Sequence, residues 1–292
     1  MSIANLLKGH EKDLGGGFLV RRYLPSAIKQ AVGPFIFFDH FGPVDVPPDA
    51  NHDVRPHPHI GLATVTYLYE GAIDHRDSIG SFQRIEPGAI NWMTAGSGIV
   101  HSERTPKDLV GVPHRTHGLQ LWAALPKAHE EDSPSFTHTP ASDIPEVAQE
   151  GAKVRVLVGS AFGRSSPVRT YMQTLYLDVK LDEGQELELP GLPPEAALYA
   201  VSGEVEIDGK PLPVYTMALL DTSTAPRIKA VKAAQFVVIG GEPLDGHRFL
   251  MWNFVSSSKE RLKQAADDWE AQRFERVPGE TEWIPLPKRP GS

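Results

Sequence analysis

The chain contains no cysteine, which excludes disulfides, thiol nucleophiles and thiolate metal sites together. It has no apolar run of membrane-spanning length, and Met1 to His10 turns charged before a signal-type apolar core accumulates. A soluble intracellular protein is expected, cytoplasmic, or nuclear in a eukaryotic source. There is no stripe of interleaved basic and aromatic residues, and the formal net charge is −8. A sequence-independent grip on nucleic acid is therefore not expected. What the 292 residues do have is 26 glycines and 26 prolines, a mix that favours many short strands with punctuated turns. The length allows one large or two ordinary domains.

Two short polar pairs organise the region from Arg55 to Pro106. His57 and His59 form one, His101 and Glu103 the other. Side chains two apart on an extended strand point to one face. Neighbouring strands would bring the pairs together as three imidazoles and a carboxylate, a donor set that suits iron, nickel, cobalt, copper, manganese or zinc. His75 is the rival ligand, although its charged neighbours favour a solvated or structural role. Between the pairs, Ala63–Tyr69 reads as a strand, Glu70-Gly71 as a turn and Ala72–Asp77 as the return of a hairpin. Phe82–Glu86 and Ala89–Met93 follow, separated by Pro87-Gly88. Pro58 lacks a backbone N–H, so the first pair should lie on an edge strand or a strand entrance.

Upstream, Gly15–Gly17 reads as a turn, Phe18–Arg22 as a strand, and Pro34–Pro43 as a strand buried on both faces that Asp39-His40 ends. His40 is expected to be satisfied by backbone there. Downstream, His114 and His117 flank Arg115 in a loop that enters the strand Gly118–Leu125. Pro126–Gly151 reads as a polar connector, after which strands resume at Lys153–Gly159, Leu175–Leu181, Gln185–Leu189 and Ala196–Val201. Tyr67–Gly71 is echoed by Tyr199–Gly203, each a strand ending in a glycine turn, which makes a duplicated barrel plausible. Of the twelve histidines only His247 lies beyond residue 138, so the second half is expected to hold no metal and to serve as structural cover or a separate pocket. Ser257–Glu260 has capping-box spacing, and Leu262, Ala265, Ala266 and Trp269 fall on one helical face. The Pro-rich end is expected to be pinned by Trp283. The expected organisation is a metal-binding domain at 1–126, a connector at 127–151, a second barrel at 152–255, and a helix with an extended tail at 256–292.

Several motifs carry a resemblance. Arg55–Gly61, Ile73–Gly80, Met93–Glu103, Phe37–Gly42 and Trp252–Phe254 together resemble the pirin family, a branch of the cupin superfamily. The resemblance implies an all-β bicupin: two antiparallel jelly-roll barrels facing each other, with a short C-terminal helix and a metal in the first barrel alone. Its ligand set falls on His57, His59, His101 and Glu103. The broader cupin pattern places a glutamate where Ala63 or Thr64 stands and a proline where Gly96 stands, so the activity of an arbitrary cupin does not transfer. The resemblance implies a quercetin 2,3-dioxygenase acting on a flavonol and dioxygen. Glu103 is then either a ligand alone or also the base that takes the 3-hydroxyl proton. The alternative it supports is a non-enzymatic, metal-loaded, redox-sensitive co-regulator that binds a protein partner.

Overall fold

Strand follows strand in the computed structural model, which describes residues 2–13, 18–149 and 151–287; the expected turn at Gly15–Gly17 lies outside them. β1 (Ile3–Lys8), β2 (His10–Asp13), β3 (Leu19–Leu24) and β4 (Phe35–Val46) come first. β5 (Val54–His59), β6 (Leu62–Glu70), β7 (Ile73–Asp77), β8 (Phe82–Ile85), β9 (Ile90–Thr94), β10 (Ile99–Arg104) and β11 (His114–Ala124) span the motif region. β12 (Ser135–Thr139), β13 (Glu146–Gln149), β14 (Ala152–Val158), β15 (Ser160–Ala161), β16 (Arg164–Ser165), β17 (Thr174–Leu181) and β18 (Glu186–Glu188) follow. β19 (Glu195–Ile207), β20 (Lys210–Leu212), β21 (Thr216–Leu220), β22 (Arg227–Gly241), β23 (Phe249–Met251) and β24 (Phe254–Ser256) lead to α1 (Lys259–Glu270). Among the described residues the protein is all-β but for that helix and a single 3-10 turn at Lys127–His129. Among the described residues no helix is long and apolar enough to cross a membrane.

The chain divides into two units, and neither is one unbroken stretch. One comprises Met1–Glu11, Arg21–Asp39 and Thr139–Leu244; the other comprises Lys12–Val20, His40–His138 and Asp245–Ser292. In the first unit a nine-stranded sheet runs β1-β21-β19-β22-β17-β14-β13, with β18 on β22 and β20 on β19. Alternate residues on these strands point inward, and Val154, Val156, Leu177, Val179, Leu198, Phe236 and Val238 build a continuous apolar core. Burying each such side chain stabilises by about 1.5–3 kcal/mol. The echo at Gly203 differs from expectation, because β19 does not end there but runs on to Ile207 through register shifts. Gly203 sits at φ 77° where a Cβ would stand 2.3 Å from the Ala233 carbonyl oxygen, so close backbone approach, rather than a chain reversal, requires the glycine.

The second unit carries a four-stranded sheet, β5-β10-β7-β8, and most of a seven-stranded sheet, β12-β9-β6-β11-β4-β3-β2, the unit bounds falling within β2, β3, β4 and β12. β6 and β7 do not form the expected hairpin: after Gly71 the chain crosses to the other sheet, where β7 pairs with β10 and β8. That crossing is what makes a jelly-roll layer pair out of sequential strands. β5 lies at the edge of its sheet, as Pro58 demands. β4 does not stop at Asp39-His40 but continues to Val46, and Phe35 to Phe41 are buried throughout. His114 and His117 lie within β11 and not in a loop. The polar 126–151 segment contributes β12 and β13.

The helix forms one residue later than its capping spacing suggests. Ser258, not Ser257, is the N-cap and accepts from the Arg261 amide, while Ser257 and Ser256 donate to Glu130. Glu130 also meets Arg248 at 2.7 Å, both side chains being almost fully buried. Removing either partner would strand a buried charge, at a cost of about 3–5 kcal/mol. The predicted helix face is the buried one, with Leu262, Ala265, Ala266 and Trp269 packed against Ile60, Val100 and Phe254. Trp283 does not pin the tail, being 41% exposed. The tail is held instead by the Ile284 amide on the Pro56 carbonyl, by Trp269 Nε1 on the Ile284 carbonyl, and by Glu280, which accepts from Ser102 and Arg104.

Candidate metal centre

The paired i,i+2 spacings place their side chains as strand geometry requires. In the β5–β10 ladder His57 lies opposite His101 and His59 opposite Ile99. In the β10–β7 ladder His101 lies opposite Asp77 and Glu103 opposite His75. Residues directly opposite across antiparallel strands share a face, so all four residues singled out from the sequence lie on one side of this sheet. The ring centroids of His57, His59 and His101 are 4.3–5.1 Å apart. One nitrogen from each ring lies within 4.8 Å of the other two, and all three residues are buried. Glu103 stands outside that cluster. An extra residue on the β5 side between His101 and Glu103 brings Glu103 opposite Val54, so the carboxylate does not simply continue the row of imidazoles.

Backbone contacts orient two of the rings. His57 Nδ1–H donates to the Arg55 carbonyl at 2.9 Å, and His59 Nδ1–H donates to the Asn253 carbonyl at 3.2 Å. Each bond fixes the tautomer and leaves an Nε2 lone pair for the interior. His59 Nε2 and His101 Nε2 are 3.1 Å apart, while His101 Nδ1 is buried with no hydrogen-bond partner among the described residues. Burial lowers His57 to about 4. His59 and His101 are held well below the usual histidine range, first by burial and then by the neighbouring imidazoles. Burial raises Glu103 to about 7. Neutral imidazoles with converging lone pairs and an orphaned ring nitrogen fit a divalent cation, which accepts lone pairs and favours a charged carboxylate beside it. The residues present therefore fit the group.

His75 is neither solvated nor part of the three-nitrogen cluster. It is 3% exposed, donates to Asp77 at 3.0 Å, stacks on Phe136 at 4.3 Å, and lies 5.4 Å from the His101 ring. Asp77 is pushed up by burial, but hydrogen bonds from His75 and Ser81 more than reverse this and hold it below the ordinary carboxylate range. His40 lies inside β4 and not at its end, and its Nε2 is 2.8 Å from Nε2 of His117.

Sequence reasoning missed the wall that faces the histidines. Trp122 touches His59 edge to face at 5.1 Å. Trp122 is opposite Thr64, and Thr64 is opposite Met93, so all three share the face turned toward His59. The next residues on that face, Thr66, Gln120 and Asn91, are polar. The signal was present in Ala63–Tyr69, where Thr64 and Thr66 alternate with Val65 and Tyr67, although alternation alone does not say which face is enclosed.

The pirin family model matches residues 17–123, and the pirin C-terminal cupin domain model matches residues 176–275. A pirin-like protein of Caulobacter vibrioides is 46% identical over 282 residues, covering 95% of this chain and 96% of that one. Pirin of Homo sapiens is 34% identical over 280 residues, covering 91% and 92%. The crystal structure of a quercetin 2,3-dioxygenase from Acinetobacter baumannii superposes with a TM-score of 0.91 at 34% identity, covering 99% of this chain and 96% of that one.

Proposed function

The chain belongs to the pirin family, and on that premise we propose that it is a metal-dependent flavonol 2,3-dioxygenase with quercetin as the type substrate. The observation that carries this reading is the convergence of three neutral imidazoles, with Glu103 on the same sheet face, in an interior lined by aromatic and amide side chains. The structural likeness to a quercetin 2,3-dioxygenase supports the substrate class. His57, His59, His101 and Glu103 are the proposed ligands of one divalent transition metal. Fe(II) is the first candidate, and such an ion supplies Lewis acidity toward a substrate oxygen and electron transfer to dioxygen.

The chain's own residues do the remaining work. His57 and His59 spend their Nδ1 hydrogens on carbonyls, which holds both rings in the ligating tautomer. Glu103 takes the proton of the flavonol 3-hydroxyl, leaving the ring electron-rich. Trp122 lies against His59 and Phe136 against His75, apolar surface that limits water beside those imidazoles.

The test is dioxygen uptake and carbon monoxide release from quercetin by metal-replete protein. Glu103→Gln keeps the size and an oxygen donor but removes the base. It should retain most of the metal while turnover per bound metal falls about 10²-fold or more, in the range for loss of a general base. Wild-type turnover per metal in this variant would exclude Glu103 as an essential base. No turnover by the wild type with iron, nickel, cobalt, copper, manganese or zinc would sink the dioxygenase reading.

A further inference from the structure

On the sheet face turned toward His59, one buried amide is only half partnered among the described residues. Asn91 on β9 is 3% exposed. Its Oδ1 lies 2.8 Å from His138 Nδ1, and with the Nδ1–H tautomer of that ring it accepts there while the amide nitrogen points the other way. That nitrogen, Nδ2, is buried with no hydrogen-bond partner among the described residues. Beside it on the same face, Thr66 donates to Gln120 Oε1 at 2.8 Å, so this neighbour's acceptor is already committed. A buried amide left unsatisfied costs about 1–3 kcal/mol, and native proteins rarely keep one without a ligand or water to receive it. An apolar residue would fit this interior position without the cost. The other unit shows as much by filling its inward positions with valine, leucine and phenylalanine.

We propose that the Asn91 amide, held by His138, is a specificity-determining donor that seats a ring oxygen of a planar, polyoxygenated aromatic ligand. The flanking surfaces suit that shape, with Trp122 against His59 and Phe136 stacked flat on His75. An amide hydrogen on the buried sheet face that also carries Trp122 selects for an acceptor oxygen at a fixed place on the ring system, which a plain hydrocarbon lacks. The ligand class rests on the flavonol reading above, while the donor role rests on the orphaned nitrogen.

The experiment measures equilibrium binding of quercetin to zinc-loaded protein under anaerobic conditions, where no turnover is needed. Asn91→Asp keeps the acceptor for His138 and removes the donor, so affinity should fall about tenfold or more, with zinc content and melting temperature unchanged. A second measurement needs no folded variant. The chain has four asparagines, so in protein labelled at asparagine the Asn91 side-chain amide resonance should move on saturation with quercetin. Equal affinity in Asn91→Asp, an unmoved Asn91 resonance at saturation, or no quercetin binding by the wild type would each overturn the proposal. Quercetin bound through Asn91 without turnover would retire the dioxygenase reading and leave the subsite standing. Turnover and affinity unchanged in Asn91→Asp would do the reverse.

Discussion

The two units share a strand-layer architecture and differ in what they enclose. Inward positions of β14, β17, β19 and β22 are apolar without interruption, from Val154 through Leu177 and Leu198 to Phe236. Inward positions of β5, β6, β9, β10 and β11 include His57, His59, Thr64, Thr66, Asn91 and His101, all of them buried. Burying a polar group costs free energy unless it is paired, so the second interior is the less stable solution to the same folding problem. A chain keeps such groups where they act on something. The apolar interior is what holds a sheet together when nothing has to bind inside it.

The sharpest way to break that comparison is to remove metal from one unit and stability from the other. His57→Ala and His101→Ala each take one converging nitrogen from the cluster. Each should lower metal affinity about 100-fold or more, as expected when a three-imidazole set is cut to two. Elemental analysis reads the metal, and circular dichroism should report an intact all-β fold. Wild-type stoichiometry should be one metal per chain, since residues 139–244 contain no histidine at all. Full occupancy in both variants would undo the ligand assignment, and a second tight imidazole site would undo the contrast itself.

The converse substitution is Phe236→Ala. The side chain is fully buried in the apolar core, and truncating a phenylalanine there leaves a cavity as well as removing the transfer free energy. A loss of about 3–5 kcal/mol is expected in denaturant unfolding. Metal content of the folded protein should stay at the wild-type level. Loss of metal without loss of stability would mean that the apolar unit governs the site.

The contrast was half legible in the sequence. The two polar pairs could be read because strand periodicity is two and the proposed ligands recur at that period on strands short enough to bound with glycine and proline. The α1 face was legible for the same reason at a period near four. The crossing at Gly71 was not, because a strand–turn–strand pattern is identical whether the second strand pairs with the first or passes to another sheet. Gly71 itself is fixed by close approach, with a Cβ 2.8 Å from the Arg115 carbonyl oxygen. Nor was the partner of β1 legible. Its pairing with β21, Leu7 opposite Met217, spans more than two hundred residues and leaves no local trace. Asn91 and His138 fall in the same class, being forty-seven residues apart and joined by one side-chain bond. Asp39-His40 misled because a polar pair after four apolar residues looks like an end. In the fold Asp39 is instead neutralised inside the strand by a two-pronged hydrogen bond from Arg22 at 2.7–2.8 Å.

The smallest expected effect concerns acid. Eleven of the twelve histidines belong to the histidine-bearing unit, and the one in the other unit, His10, is exposed. His117 is lowered from 6.5 to about 4, first by burial and then by the Arg115 guanidinium. Its Nε2 meets that of the fully buried His40, and the Tyr69 ring lies 4.7 Å away. Glu70 sits opposite it in the ladder but pairs with Arg115 at 3.0 Å, so its charge is partly answered there. Because the folded value lies below the unfolded one, the unfolded chain binds the extra proton first. The stabilisation is complete above about 6.5 and is lost as pH falls toward 4. The ring keeps some solvent contact, which cuts the full linkage to roughly 1–2 kcal/mol. His117→Gln removes the titration and keeps a hydrogen-bonding group for His40. Melting curves of metal-loaded protein at pH 7 and pH 5 should converge partway in the variant relative to the wild type, by a few degrees. Superimposable pH dependence in the two proteins would show that the pair does not titrate on unfolding, and would move the acid sensitivity of this unit onto its other shifted groups, among them the converging histidines, His52 and Asp77.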